Sequence, residues 1–457
     1  MIFGHKEELC MLKKGTRALS LLLALVLILP ITAFAEEGEP EMPENEPILS
    51  DGEHFVPENP DMNAGEYVSY NPELMDQEWY RSMIVDSEMR LGNNKRLHKV
   101  VERAKAGEKI TVATIGGSIT EGAGAGTYQE CYAYRFYDGF KSACGLDESA
   151  DVAFVNAGVG GTDSVFGWMR YQRDVVDRVE DSDNLPDVVV IEFSVNDYGE
   201  PTNHKAFESM VKQILMAPNE PVVIILFAVF PTGFNLQGDL RRIGDKYDLM
   251  MISIKDGPFK LVGDKWTEKE FFFDQYHPTT LGHGIMADCM LAAVTDALAL
   301  PENEEDINVA VTPAFGINFV GMKTIYRSND NADIALEKGS FKGDDIGSYS
   351  NLPVGRVCGR NFHHQMANGN EPLTFTATFK NLIIAYRATG DASFGKADVY
   401  VDGVKVRSLN GNTGSWGQSV VDLAFNSSEA AEHTVSICMA EGSETKKFTI
   451  TCIGYTP

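Results

Sequence analysis

The stretch "TVATIGGSIT", residues 111–120, joins an apolar run to two glycines and a serine. Such a near-continuous apolar run is typical of a strand that is covered on both faces of a sheet. Glycine weakens a strand, so Gly116 and Gly117 predict a turn or a close backbone contact where this strand ends. Ligands of open α/β sheets bind at the carboxyl ends of strands, which makes Ser118 a candidate functional residue.

Strand-like and helix-like stretches alternate around this segment. The strand-like runs span residues 110–117, 152–158, 187–195 and 221–230, and the helix-like stretches span 128–144, 164–179, 204–216 and 281–298. This alternation predicts a parallel sheet within an α/β domain, which we place at residues 78–300.

After "PENEEDIN", residues 301–308, the sequence pattern changes to short runs in which apolar and polar residues alternate. Asp402-Gly403 lies between two such runs and is a strong hairpin signal. We therefore predict a linker at residues 301–310 and an all-β sandwich at residues 311–457. Cys438 and Cys452 lie on strand-like runs of this region, and the sequence leaves open whether they pair.

The N-terminus has the pattern of an export signal. Basic residues precede the apolar run "ALSLLLALVLILPITAFA", which ends at Ala35 in an A-x-A pattern. We predict a signal peptide at residues 1–35, cleaved after about Ala35, and an acidic, proline-rich linker at residues 36–77. We expect a secreted protein with no stable membrane insertion after cleavage. The alternative is an uncleaved anchor.

The net charge of the chain is −27 at pH 7. Such a charge repels nucleic acid and anionic lipid surfaces and favours neutral or cationic partners. We therefore expect no nucleic-acid partner.

Three other segments supply what a nucleophilic serine requires. "FFFDQYHPTTLGHG", residues 271–284, contains Asp274 and His277, which are spaced as a base and the carboxylate that orients it. "VNAGVGGTDS" (155–164) and "FSVNDYG" (193–199) each follow a predicted strand with glycines or an asparagine. Backbone N–H groups and an asparagine amide can stabilise an oxyanion.

The blocks "IGGSIT", "NAGVGG", "SVND" and "DQYHP", in this order, resemble the SGNH hydrolases, also called the GDSL esterase/lipase superfamily. This resemblance implies a flavodoxin-like, three-layer domain with Ser118 as nucleophile, His277 as base and Asp274 as its partner. It also implies oxyanion donors at the N–H groups of Ser118 and Gly161 and at Asn196, with no cofactor and no metal. The sequence departs from the family pattern twice: Gly117 replaces the aspartate of G-D-S, and Ser194 replaces the glycine of G-x-N-D.

The lead-in at residues 91–120 resembles the secreted bacterial carbohydrate esterases, and the β region resembles the jelly-roll modules that bind carbohydrate. The implied function is deacetylation of neutral plant-type polysaccharides such as xylan or mannan, with an acetylated oligo- or polysaccharide as partner. Trp416 lies on the glycine-rich loop 409–419, where its ring either stacks on a sugar or fills the end of the sandwich.

Several alternatives compete with this interpretation. A lipase or lysophospholipase, an acyltransferase and a non-catalytic glycan-binding protein are the other functions that we considered. "GAGAG" (122–126) is a weak match to a dinucleotide-binding loop, because its glycine spacing is wrong. A metal site formed by His277, His283 and Asp288 is a further, weaker alternative.

Overall fold

A computed structural model describes residues 67–180, 185–327, 334–345, 347 and 360–457. The predicted signal peptide and most of the predicted linker 36–77 lie outside these residues. The first part of the described chain forms a five-stranded parallel sheet, whose strands are β1 (Ile110–Gly116), β2 (Val152–Gly158), β3 (Val188–Glu192), β4 (Val222–Phe227) and β5 (Met250–Ser253).

The strand order β2-β1-β3-β4-β5 is that of flavodoxin-like sheets and places β1 between β2 and β3. The helices that accompany the sheet are α1 (Pro72–Met75), α2 (Glu78–Ser87), α3 (Lys95–Lys105), α4 (Ser118–Glu121), α5 (Tyr132–Ala143), α6 (Ser164–Asp174), α7 (Lys205–Leu215), α8 (Gln237–Tyr247), α9 (Glu268–Phe271) and α10 (Thr280–Ala299). The predicted α/β fold with a parallel sheet is confirmed.

The strands are buried on both faces, because successive side chains point into two separate cores. Val112 belongs to the core formed with α2, α3, α5 and α10, whereas Ala113 belongs to the core formed with α6, α7 and α8. Helix α10 is long and apolar enough to cross a membrane, but 83% of its apolar window is buried inside the protein. It is therefore the central helix of the first core.

The predicted linker 36–77 extends too far toward the C-terminus. The backbone N–H of Tyr70 and the side chains of Ser69 and Asn71 all donate hydrogen bonds to Asp288 on α10, over 2.8–2.9 Å. Buried polar partners of this kind tie residues 67–77 to the α/β domain.

The C-terminal region is an antiparallel β-sandwich, as predicted. Its strands are β6 (Lys323–Ile325), β7 (Leu336–Glu337), β8 (Phe362–His364), β9 (Leu373–Thr389), β10 (Lys396–Val401), β11 (Val404–Asn410), β12 (Trp416–Met439) and β13 (Phe448–Thr456). The order along the main sheet is β11-β10-β12-β9-β13-β6, and β10 and β11 form the predicted hairpin around Asp402-Gly403. Cys438 and Cys452 are free thiols on β12 and β13, which lie on opposite sides of β9, so the two cysteines do not pair.

The segment between α10 and β6 is bound to the α/β domain along its length. Asp306 accepts two hydrogen bonds from the buried Arg96, at 2.8 and 2.9 Å. The buried carboxylate of Glu208 on α7 accepts the backbone N–H groups of residues 314–316, at 2.6–2.8 Å. The predicted linker 301–310 is therefore not a free tether, and the first strand of the sandwich begins at Lys323 rather than near residue 311.

The two domains also share a hydrophobic core. Phe319, Tyr326 and Ile383 belong to the same buried cluster as the residues of α6 and α7. Trp168 on α6 donates its indole N–H to the carbonyl of Phe319 at 2.8 Å. These contacts hold the sandwich against α6 and α7.

Candidate active site

Ser118 is the first residue of α4 and directly follows β1 through the two glycines. A Cβ atom on Gly117 would lie 2.3 Å from Oδ1 of Asn196, and one on Gly116 would lie 2.5 Å from the carbonyl oxygen of Glu192. The glycines therefore let the segment after β3 pass against the end of β1. This contact is a physical reason for the glycine at position 117, because a side chain there would displace Asn196.

His277 connects Ser118 to Asp274. Its Nε2 lies 2.9 Å from Oγ of Ser118, and its Nδ1 lies 2.9 Å from both carboxylate oxygens of Asp274. Oδ1 of Asp274 also accepts the backbone N–H groups of Tyr276 and His277, at 2.8 and 2.9 Å. The three side chains predicted from the sequence are thus brought together in the geometry of a nucleophile, a base and an orienting carboxylate.

The surroundings of Asp274 favour its ionised form. Partial burial raises the pKa of this carboxyl group, but the hydrogen bonds from His277 and from the backbone N–H groups outweigh it, so the pKa lies below the usual value. An ionised Asp274 holds the proton on Nδ1 of His277, which leaves Nε2 able to accept the proton of Ser118.

The predicted oxyanion donors surround the serine. Within the part of the chain that the structure describes, no acceptor is bound to the backbone N–H of Ser118 or of Gly161. Gly160, the neighbour of Gly161, lies so close to the serine that a Cβ on it would be 3.5 Å from Cβ of Ser118. Oδ1 of Asn196 is buried and has no partner among the described side chains and backbone groups. The side chain of Asn196 thus lies against Gly117 at the site, and the group in it that can donate to an oxyanion is Nδ2, not this oxygen.

Gly161 adopts the left-handed region, with a φ of +67°. This conformation is strained for other residues and turns the backbone sharply at the oxyanion site. The space that a Cβ would need is also filled by Trp416 of the sandwich, whose Cζ2 would lie 2.6 Å from it. Gly161 is therefore required both by its backbone and by the ring above it.

Trp416 begins β12 and lies over Gly161 at the rim of the site. Its side chain is 68% exposed, which excludes the alternative that it fills the end of the sandwich. Oε1 of Gln418, the next residue but one, would also lie 3.3 Å from a Cβ on Gly161. The sandwich domain thus contributes side chains directly beside the predicted oxyanion donor.

A buried arginine, which the sequence did not reveal, joins the strand ends beneath the site. Arg170 on α6 is completely buried and donates hydrogen bonds to the carbonyls of Gly116, at 3.0 Å, and Ala157, at 2.6 Å. It therefore fixes β1 and β2 relative to each other immediately before Ser118 and Gly161. Polar residues on an amphipathic helix are usually exposed, so its spacing gave no signal of this role.

Two carboxylates, the half-buried Glu121 and the buried Asp197, bind the loops next to the predicted oxyanion donors. Glu121 accepts the backbone N–H of Gly160 at 2.7 Å, and Asp197 accepts that of Ser164 at 2.7 Å. Burial raises the pKa of Glu121, against the lowering effect of the Gly160 N–H. Burial and the nearby Asp163 raise the pKa of Asp197 well above the usual value.

Ser194, the second departure from the family pattern, fits the turn after β3. Its hydroxyl is buried and donates to the carbonyl of Ala228 at 3.0 Å. The substitution therefore leaves the Asn196 segment bonded to the adjacent loop after β4.

The loop "GAGAG" packs against the segment that carries His277. A Cβ on Gly124 would lie 2.1 Å from the carbonyl oxygen of Pro278, and the N–H of Gly126 donates to Oγ1 of Thr280 at 2.8 Å. The loop supports the segment that carries His277, which accounts for its glycines without a nucleotide.

The proposed metal-binding alternative finds no support in the geometry. Nδ1 of the buried His283 accepts the backbone N–H of Tyr132, and its Nε2 donates to the carbonyl of Ala123. Burial lowers the pKa of His283 to about 4, so the ring is neutral. Asp288 is bound by the N-terminal segment, and no group of three His, Cys, Asp or Glu side chains among the described residues is placed to hold a metal ion.

Comparisons with known proteins agree with this fold and site. Residues 114–285 match the model of the GDSL-like Lipase/Acylhydrolase family. Two crystal structures of a two-domain esterase active on acetylated mannans, one of them with mannopentaose, each align with a TM-score of 0.67 and 25% identity. Each alignment covers 82% of this chain and 98–99% of the esterase. A search of curated protein sequences gave no significant match.

An acetylxylan esterase from Geobacillus stearothermophilus aligns at 18% identity over 42% of this chain and 96% of its own. Its TM-score of 0.32 is too low to support a comparison.

Residues 114–285 are therefore a GDSL-like lipase/acylhydrolase domain, and the resemblance to SGNH hydrolases is confirmed. Within this class of carboxylic ester hydrolases, the chain has a two-domain architecture, in which a C-terminal β-sandwich follows the α/β domain.

Proposed function

We propose that the chain is a secreted serine esterase that removes acetyl groups from neutral plant-type polysaccharides, with mannan preferred over xylan. The observation that carries this proposal is the continuous hydrogen-bonded relay from Asp274 through His277 to Ser118, beside two unpaired backbone donors among the described residues.

The first half of the reaction forms an acyl-enzyme. Oγ of Ser118 attacks the carbonyl carbon of the acetyl ester while Nε2 of His277 takes the serine proton. The N–H groups of Ser118 and Gly161 and the amide of Asn196 stabilise the oxyanion. When the C–O bond to the sugar breaks, His277 returns the proton to the sugar oxygen, so that the free hydroxyl leaves and acetate stays on Ser118.

The second half releases acetate. His277 takes a proton from a water molecule, whose oxygen attacks the acetyl carbon in the same oxyanion site. The bond to Oγ of Ser118 breaks, and His277 returns the proton to the serine. The chain's own side chains supply every proton transfer, so the proposal requires no cofactor, and treatment with a strong chelator should leave the activity intact.

The preference for mannan follows from the two-domain neighbour, which is active on acetylated mannans. The net charge of −27 agrees with a neutral polymer, because acidic glycans and anionic lipids would be repelled. An exposed tryptophan beside Gly161 is also suited to contact with a sugar ring.

The test measures release of acetate from acetylated mannan and acetylated xylan, and release of fatty acid from a lysophospholipid, with wild type and Ser118→Ala. We expect release from mannan, less from xylan and none from the lipid, and loss of all release in Ser118→Ala. Ser428→Ala, at an exposed serine of β12, is the matched control and should behave as wild type. Hydrolysis of the lipid alone would contradict the proposal, as would full activity of Ser118→Ala.

Export is the remaining part of the proposal and rests on the sequence of residues 1–35. Expression of the full chain in a bacterial host should give a mature protein outside the cytoplasm that begins near residue 36. A full-length chain retained in the cytoplasm would contradict it.

A further inference from the structure

The exposed aromatic side chains of the described residues are concentrated at one place. They are Tyr198, Phe273, Tyr276 and Trp416, with exposed fractions from 47% to 79%. Tyr198 follows Asn196 by two residues, Phe273 and Tyr276 are direct neighbours of Asp274 and His277, and Trp416 lies over Gly161. Single exposed apolar residues are ordinary, but clustering of this kind marks a binding surface.

Four rings form a continuous surface that we call the aromatic wall: Tyr198, Phe234, Phe230 and Tyr276. Their centroids are 6.0 Å apart for Tyr198 and Phe234, 6.0 Å for Phe234 and Phe230, and 5.3 Å for Phe230 and Tyr276. Two of these contacts are edge-to-face, which is a favoured arrangement of aromatic pairs. The wall ends at His277, whose ring lies 6.1 Å from that of Tyr276.

The strand order places the aromatic wall and Trp416 on opposite sides of Ser118. Gly161 and the ring above it follow β2, Ser118 follows β1, and the wall is carried by the segments after β3 and β4 together with the His277 loop. From β2 to β4 there are three strand intervals of ~4.8 Å, or roughly 14 Å in all. That distance is longer than a single sugar ring.

We propose that the aromatic wall is a second sugar-binding subsite, so that the acetylated sugar residue lies over Ser118 as an internal unit of a glycan chain. This inference rests on the proposed function. It adds the requirement that the glycan chain be long enough to reach from Ser118 to the aromatic wall. The C–H faces of a pyranose ring pack against aromatic rings while its hydroxyl groups stay in water, which suits a surface that is apolar yet open.

The occupant should be a sugar rather than the acyl group. The exposed side chains of the wall are the rings of Tyr198 and Tyr276, which are 79% and 47% exposed. A long acyl chain is instead bound by enclosing aliphatic side chains that remove it from water. Tyr198 and Phe234 also lie on the side of the serine away from Trp416, which leaves the glycan a continuous path past the nucleophile.

The first experiment measures kcat/KM for singly acetylated manno-oligosaccharides from one to five residues. We expect kcat/KM of the wild type to rise with the length of the oligosaccharide. Tyr198→Ala should lower kcat/KM on the longer oligosaccharides by about 5–10-fold, because one aromatic contact is lost. Tyr198→Phe retains the ring and should retain the rise. Val404→Ala, an exposed position in the β10–β11 hairpin, is the control and should match the wild type.

A second experiment separates the subsite from the reaction. Calorimetric titration with unacetylated mannopentaose measures binding without chemistry, and Tyr198→Ala should weaken it while the melting temperature stays unchanged. Weakened binding together with no acetate release from any glycan would reject the proposed function and keep the subsite.

Two outcomes would overturn the subsite. One is a full length-dependence of kcat/KM in Tyr198→Ala on substrates that the wild type deacetylates. The other is a loss in Tyr198→Ala that grows with the acyl length of simple esters and not with the length of the glycan.

Discussion

The two parts of the cleft differ in how they are held. Around Ser118, the groups are fixed within one domain by short contacts: the relay through His277, and Arg170 beneath the strand ends. At the rim, Trp416 is 68% exposed and comes from a different domain, at the start of a 24-residue strand. Under the proposed function, the bond-breaking chemistry is specified inside the α/β domain, and we propose that recognition of the substrate is divided between both domains.

Replacement of the nucleophile should have the largest effect. Ser118→Ala and His277→Ala should each lower kcat by on the order of 10⁴-fold or more, because triad members act as a unit. Asp274→Asn should cost somewhat less. The loss should be equal on an aryl acetate and on acetylated polysaccharide. A loss of kcat on acetylated polysaccharide alone would contradict the assignment of Ser118 and His277 to the chemical step.

Asn196→Ala should lower kcat by about 10²–10³-fold on both substrates, since one oxyanion donor is removed. Its melting temperature should stay close to that of the wild type, because Oδ1 of Asn196 makes no hydrogen bond among the described residues. Both quantities are measured on the same preparation. An unchanged kcat would show that Asn196 is not an oxyanion donor.

The attachment of the sandwich domain offers a third way to test the comparison. Glu208→Ala removes the acceptor of three backbone N–H groups and should lower the free energy of unfolding by roughly 2–4 kcal/mol. Thermal or urea unfolding measures this change. Glu208→Gln keeps one acceptor oxygen and should lose less. Equal stability of all three proteins would show that the segment after α10 is not held by this carboxylate.

Trp416→Ala should have the smallest effect of the four. We expect KM on acetylated polysaccharide to rise several-fold, with hydrolysis of a small aryl acetate nearly unchanged, because we propose that the ring contacts the polymer and not the reacting atoms. Trp416→Tyr retains an aromatic face and serves as the control. If both substrates were affected equally and the melting temperature fell, the ring would be a structural element.

The main strands of the parallel sheet were predictable because each is a near-continuous apolar run, although the predicted runs 187–195 and 221–230 extend beyond β3 and β4. Strand β5 was missed, since Met250–Ser253 has only four residues and too little pattern to separate it from a helix end. In the sandwich, "TFTATF" (374–379) and "NLIIAYRA" (381–388) have the pattern of two short strands but form the single strand β9. The polar residues around Asn426 likewise interrupt the pattern of β12 but only bulge the strand.

The candidate site was predictable to the extent that its residues lie in short blocks at strand ends. Ser118, Asp274 and His277 meet as the blocks suggested, whereas the supporting role of Arg170 depends on a contact that no local pattern encodes. The position of Trp416 over Gly161 depends on how two domains dock. Sequence spacing carries no information on such a contact, although the glycine-rich stretch around Trp416 did indicate this residue as a candidate for substrate binding.

The core that both domains share has a consequence for how such proteins evolve. Phe319, Tyr326 and Ile383 are packed among the residues of α6 and α7. Each domain alone would therefore expose apolar side chains to water at this face. The sandwich is thus not an exchangeable accessory that can be joined to another enzyme to redirect it. A graft of either half onto a foreign partner would expose apolar surface, so exchange of the sandwich between proteins would require matching substitutions on α6 and α7.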